Sequence, residues 1–296
     1  MMQLRILTTL LVLMTLPGAP MAQVIEDSIL VEGYYRSFCF NKPRHSTGGD
    51  ALVFVIHGSG GAARQYMKQT ARIDDKMERE NFLLVFPQGY RRYWNECRKA
   101  STAEANRINI NEEAFFVAMI DYFVKSYGID RTKVFVSGAS GGGQMAYKMG
   151  MRIPEKLRGI AALIANLPTK ENMDCVAAGK ALPVLIINGT ADPVNPDKGG
   201  EMKAGFSLGT VVSTDDSFAY WAGLAGYKGL PQKESLPDPV PGNEITMERY
   251  SHKKKGHPEV TLIKVINGVH GQPADMDFYT EVWRFFRRQL EQPSDK

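Results

Sequence analysis

The sequence predicts an α/β fold: one domain over residues 23–296, with a mostly parallel central sheet and helices on both faces. Three observations carry this. Apolar runs of strand length alternate with segments of helical period along the chain. The strand-like runs are rich in Val, Ile and Leu, as strands buried on both faces are. No internal repeat, low-complexity linker or second set of periodic elements divides the chain.

The elements can be justified in order. Arg5, the apolar run 6–16, Pro17-Gly18 and a small-residue stretch ending at Ala22 read as a secretory signal peptide over 1–22, cut after Ala22. The apolar run is well short of the ~20 residues that a membrane span needs, so a short uncleaved anchor is only the alternative. Strands are expected at 51–57, 82–86, 133–137, 159–164, 184–188 and 260–266. Between them, residues 111–127 place Phe115, Phe116, Met119, Ile120 and Phe123 on one helical face, a stripe that belongs to the core. Further helices are expected at 215–225 and 278–290; the second ends in Arg287 and Arg288, where cations suit the helix dipole. Residues 230–243, with Pro231, Pro237, Pro239 and Pro241, read as an irregular surface excursion.

The chemistry centres on the strand-like Val134-Phe135-Val136, which leads through Ser137 into Gly138-Ala139-Ser140-Gly141-Gly142 and then a helical pattern. A G-x-S-x-G between strand and helix lifts the serine hydroxyl above the sheet on a sharp turn and aims the next backbone N–H groups at a reacting oxygen. Ser140 is the expected nucleophile, and Ser137, inside the strand, a structural hydroxyl. A serine hydroxyl needs a histidine to take its proton and a carboxylate to orient that histidine. In this arrangement the acid and then the histidine follow the serine at later strand ends. Asp192 follows the 184–188 strand in Gly189-Thr190-Ala191-Asp192-Pro193, with Asp197, Asp215 and Asp216 as more distant substitutes. His270 follows the last strand in Asn267-Gly268-Val269-His270-Gly271. His252 and His257, flanking Lys253 to Lys255, read as a solvated turn, and His45 precedes the first long strand.

His57 opens the glycine-rich His57-Gly58-Ser59-Gly60-Gly61 and is expected to brace that loop rather than to catalyse. The backbone N–H groups of Ser59 and Gly141 are the expected oxyanion donors. Tyr90, Tyr93 and Trp94 follow a strand end, where ligands bind in α/β sheets. Their rings either stack on a substrate or, for Trp94, anchor the loop from within.

Taken together, His57-Gly58-x-Gly60-Gly61, Phe86-Pro87-Gln88-Gly89, Trp94-Asn95, the Ser140 elbow, Gly189-Thr190-Ala191-Asp192-Pro193-Val194-x-Pro196 and Gly268-x-His270 resemble the secreted polyhydroxybutyrate depolymerases and feruloyl or acetylxylan-type esterases of the α/β-hydrolase superfamily. The resemblance implies a secreted or periplasmic carboxylic ester hydrolase with Ser140, Asp192 and His270 as its triad, Ser59 and Gly141 at the oxyanion, and feruloyl, acetyl or short hydroxyalkanoate esters as substrates. It implies no cofactor and no metal. Two departures stand out. The histidine loop continues as Gly271-Gln272-Pro273 where much of the family has tryptophan and proline, and Ser59 replaces a frequent cysteine. Tyr93, Trp94 and Gln272 are accordingly the candidate substrate-binding residues. A serine peptidase of the same fold and a non-catalytic exported binding protein are the alternatives.

Composition narrows the partners. A net charge of +4 comes from 36 basic and 32 acidic residues that are interleaved, so no nucleic-acid surface is expected, nor stable membrane insertion after signal cleavage. Export permits disulfides, and three cysteines allow one bridge. Cys97 and Cys175 lie in polar, loop-like surroundings and are the favoured pair over Cys39, which sits between Phe38 and Phe40 in an apparent strand. Three small buried residues with no bridge are the alternative.

Overall fold

A computed structural model of the chain describes residues 24–41, 48–70, 80–203 and 207–291. The signal-peptide segment and His45 lie outside the described residues. Among the described residues one sheet holds ten strands, in the order β1 (Val24–Val31), β2 (Tyr34–Asn41), β4 (Phe82–Pro87), β3 (Ala51–Ile56), β5 (Val134–Ala139), β6 (Gly159–Leu163), β7 (Val184–Gly189), β12 (Val260–Ile266), β11 (Thr246–His252) and β10 (Gln232–Ser235). Its centre is parallel: β4, β3, β5, β6, β7 and β12. These are the six runs legible as strands in the sequence.

Both faces of these strands are covered, which is why they lack polar alternation. In β3, Leu52, Phe54 and Ile56 join one apolar cluster, while Ala51, Val53 and Val55 join a second on the opposite face. The helices divide the same way. A helical stretch at 63–70 (α1) and α6 (Phe278–Leu290) cover the second face, through Ala63, Met67, Val282 and Phe286. After the single turn α2 (Glu104–Arg107), α3 (Glu112–Tyr127), α4 (Gly141–Arg152) and α5 (Thr214–Leu224) cover the first, through Phe116, Met145 and Trp221. The stripe read from the sequence is indeed core: Phe115, Phe116, Met119, Ile120 and Phe123 are all buried. Each large side chain so buried contributes about 1.5–3 kcal/mol. Asn111 starts α3 by accepting a hydrogen bond from the Ala114 N–H, and Gly128 ends it in the left-handed region.

The sheet edges are antiparallel and less legible. β1 (Val24–Val31) and β2 (Tyr34–Asn41) form a hairpin around Glu32-Gly33, and β8 (Gly200–Lys203) pairs with β9 (Ser207–Val211) apart from the main sheet. The expected irregular excursion needs correction, because Gln232–Ser235 form β10 and pair with β11 (Thr246–His252). That strand is short and wholly exposed, so it carries no apolar signal. His252 also departs from its expectation. It closes β11 with its ring stacked 4.8 Å from Tyr227 and 5.5 Å from Phe218, and burial lowers its pKa.

Cys97 and Cys175 are bonded, joining the loop after β4 to the segment after β6, and Cys39 is a buried free thiol pushed up to about 12 by burial. Among the described residues, no helix is long and apolar enough to cross a membrane.

Candidate active site

The three candidate triad residues come from three loops at the C-terminal edge of the parallel strands, and backbone contacts hold each one. Ser140 follows β5 at φ 55° and ψ −118°, a region that non-glycine residues occupy only under constraint, at a cost of order 1–3 kcal/mol. The constraint is visible. Its N–H donates to Leu163 O at 2.9 Å, and strand and helix approach so closely that a Cβ on Gly138 would lie 2.3 Å from Gly142 O. A Cβ on Gly142 would lie 2.2 Å from Ile56 O, so the sequence can turn here only with glycine on both sides of the serine.

Asp192 and His270 sit on loops that hydrogen-bond to each other. Thr190 N–H donates to Val265 O at 2.9 Å, and Ala191 N–H to Gly268 O at 3.0 Å. The Asp192 side chain is only 1% exposed. One carboxylate oxygen accepts the N–H groups of Val194 and Asn195, both at 2.8 Å, leaving the other free to face the histidine. His270 Nδ1 lies 2.7 Å from Asp192 Oδ2, and its Nε2 lies 3.0 Å from Ser140 Oγ. With Nδ1–H donated to the carboxylate, Nε2 has a lone pair aimed at the serine hydroxyl. This is the connectivity needed to take a proton from the serine while the imidazole is held in one tautomer.

The other candidate carboxylates are engaged elsewhere. Asp197 pairs with Lys198 at 3.1 Å, Asp215 with Lys264 at 2.7 Å, and Asp216 accepts from the Ser213 hydroxyl at 2.6 Å. Ser137 is fully buried inside β5, the strand that leads into Ser140.

His57 has both nitrogens occupied by protein. Nδ1–H donates to Gly58 O at 2.7 Å, and Nε2 accepts from the Gly89 N–H at 3.1 Å with Gln88 Nε2 at 3.2 Å. Burial pushes its pKa down to about 4, so the ring is neutral and acts as a brace between the loops after β3 and β4. Trp94 completes that brace. It is 1% exposed, donates its indole N–H to His57 O at 2.9 Å and packs 6.3 Å from Phe116. The candidate role of Trp94 as a substrate platform is therefore corrected: the ring anchors the loop from within, because both its face and its N–H are committed. Tyr93 is half-buried, with its hydroxyl beside Gly60 at the rim. Gln272 is exposed, and its side-chain oxygen accepts the N–H of Phe278 at 3.2 Å, at the start of α6.

The expected oxyanion donors are neighbours. A Cβ on Gly141 would lie 2.9 Å from Ser59 N, so the two residues meet beside Ser140. Gly141 opens α4, where the first N–H groups have no partner within the helix, and the N-cap side chain supplies none.

Several supporting residues escaped the sequence reading. Gln88 accepts the Ala63 N–H at 2.9 Å while facing His57, and it was visible only as part of Pro87-Gln88-Gly89. Lys148, buried on α4, donates to Asn95 O at 2.7 Å; Glu112, paired with buried Arg36 at 2.8 Å, accepts the Asn95 N–H at 3.1 Å. Asn188 and Asn195 hold the segment after β6 through Ala165 and Asn166. Charged and amide side chains inside a fold carry no apolar period, so only tertiary proximity reveals them.

The comparisons with known proteins agree with this architecture. The sequence profile of the phospholipase/carboxylesterase family matches residues 44–206, more than half of the chain. A putative esterase, NocK of Nocardia uniformis, is 24% identical over 235 residues, 76% of this chain and 66% of that protein. The acetylxylan esterase of Coprinopsis cinerea is 24% identical over 43% of this chain and 36% of its own length. Feruloyl esterase B of Neurospora crassa is 28% identical over 38% of each. The chain thus spans less than two thirds of the length of these relatives. Among solved structures, the acetyl xylan esterase from Aspergillus awamori superposes with a TM-score of 0.60 at 13% identity, covering 89% of this chain and 99% of that one. Esterase PE8 gives 0.51 at 18% identity, covering 84% and 97%. At such identities these structures speak for the fold alone.

Proposed function

The chain belongs to the phospholipase/carboxylesterase family, and from that premise we propose that it is a carboxylic ester hydrolase working by two-step acyl transfer. The observation that carries the reading is one imidazole, His270, held between Asp192 Oδ2 at 2.7 Å and Ser140 Oγ at 3.0 Å. Ser140 Oγ attacks the ester carbonyl carbon while its proton passes to His270 Nε2. The tetrahedral intermediate then collapses, the alkoxide leaves with that proton, and the acyl group stays on Ser140. Water, giving its proton to the same nitrogen, repeats the sequence and releases the acid. Asp192 stabilises the imidazolium and keeps its proton on Nδ1, and the N–H groups of Ser59 and Gly141 receive the charge on the carbonyl oxygen.

The substrates favoured are feruloyl and acetyl esters or short hydroxyalkanoate esters. Matches to proteins named acetylxylan esterase and feruloyl esterase B support the first two. The Cys97–Cys175 bond supports an oxidising compartment, and hence a mature enzyme that is secreted or periplasmic after loss of residues 1–22.

The test is a panel of nitrophenyl acetate, methyl ferulate, acetylated xylan, hydroxybutyrate oligomers and a peptide, run beside fluorophosphonate labelling. Turnover of the best ester should fall at least about 10⁴-fold in Ser140→Ala, with loss of labelling. Near-wild-type turnover in that variant would remove the reading, and turnover of the peptide alone would redirect it.

A further inference from the structure

We infer that the side-chain hydroxyl of Ser59 is a third donor to the oxyanion, beside the backbone N–H groups of Ser59 and Gly141. The inference rests on the ester hydrolase reading above. Its starting point is a close approach: a Cβ on Gly141 would lie 2.3 Å from Ser59 Oγ and 2.9 Å from Ser59 N. Both polar atoms of Ser59 thus lie against the residue that follows the nucleophile and opens α4.

The loop is held so that these atoms are left over. The Gly60 N–H donates to Arg92 O at 2.9 Å and the Gly61 N–H to Gly58 O at 3.0 Å, while His57 grips Gly58 O from the other side at 2.7 Å. Neither the N–H nor the hydroxyl of Ser59 has a protein partner among the described residues. Ser59 is exposed, caps no helix and belongs to no apolar cluster, so packing gives the hydroxyl no other task.

Nor is it a competing nucleophile. His270 Nε2 faces Ser140, and both nitrogens of His57 are taken. A hydroxyl with no base to remove its proton keeps that proton and can only donate or accept a hydrogen bond. As Ser140 Oγ bonds to the carbonyl carbon and its proton moves to His270, the π electrons of the carbonyl go to its oxygen. The Ser59 O–H turns toward that oxygen and donates without being transferred. A donor aimed at charge that exists only in the transition state raises kcat and leaves ground-state binding nearly alone.

The experiment compares Ser59→Ala, Ser59→Thr and Ser140→Ala by steady-state kinetics on nitrophenyl acetate, with inhibition by a phenylboronic acid that forms a tetrahedral adduct. In Ser59→Ala, kcat should fall on the order of 10²-fold with KM little changed, and boronate affinity should fall in parallel. Ser59→Thr, which keeps a hydroxyl, should recover most of both. Wild-type kcat in Ser59→Ala would overturn the inference, as would equal losses in the alanine and threonine variants, which would assign the effect to loop packing. The two readings fail separately: an inert Ser140→Ala beside a fully active Ser59→Ala sinks only the third donor, whereas an active Ser140→Ala sinks the hydrolase mechanism itself.

Discussion

His57 and His270 both stand where a parallel strand ends at the same edge of the sheet, yet the protein surrounds them in opposite ways. His57, at the end of β3, is 1% exposed and spends both nitrogens on backbone and amide groups. His270, past β12, keeps a side chain 20% exposed and sits between a carboxylate and a hydroxyl. A histidine at a strand end is therefore not a base by position. It becomes one when a buried carboxylate fixes one nitrogen and the other faces a group with a proton to give.

The strongest way to break this comparison is to remove each ring. His270→Ala should lower ester turnover by at least about 10⁴-fold while the urea midpoint stays close to wild type. His57→Ala should instead cost about 2–4 kcal/mol of stability, through lost hydrogen bonds and a cavity, with Ser140 still labelled by a fluorophosphonate. Equal kinetic losses at unchanged stability would erase the distinction.

A smaller effect sharpens it through pH. The folded pKa of His57 is about 4 against an ordinary 6.5, so the unfolded chain binds this proton more readily. Its contribution to stability is complete above pH 6.5 and is lost as pH falls toward 4, about 3 kcal/mol in all. Urea midpoints measured from pH 7.5 to pH 4 should fall more steeply in wild type than in His57→Gln. Parallel slopes would mean that folding leaves the proton affinity of the ring unchanged.

The smallest expected effect concerns the brace beneath His57. Trp94→Phe removes one buried hydrogen bond to His57 O and should cost about 1 kcal/mol, with KM unchanged. A raised KM at unaltered stability would return Trp94 to the substrate.

What the sequence made legible follows from how each region is stabilised. The six parallel strands announce themselves because both faces are buried, and the loops that carry the candidates Ser140, Asp192 and His270 because strand ends and glycines mark the places where the chain must turn over the sheet. The His57 brace was half legible: the glycine-rich loop pointed to a supporting histidine, but Gln88 and the inward-facing Trp94 could not be assigned without the fold. Trp94 reads the same in sequence whether its ring faces out or in. The edge strand β10 was hidden for the opposite reason, since Gln-Lys-Glu-Ser buries nothing and pairs only because β11 offers an open edge. Cys97 and Cys175 were distinguished from Cys39 by their polar neighbours alone, and the same contrast separates loop from strand in the structure.

The Cys97–Cys175 bond closes a ring of chain with a sequence separation of 78, and that ring contains α3, β5, the elbow and α4. A crosslink of this span removes roughly 4 kcal/mol worth of conformational freedom from the unfolded chain. The backbone strain at Ser140, of order 1–3 kcal/mol, is thus offset by a tether that touches neither the serine nor its partners. A protein matured under reducing conditions would carry the same elbow without that reserve, and its survival on heating would fall before its turnover did.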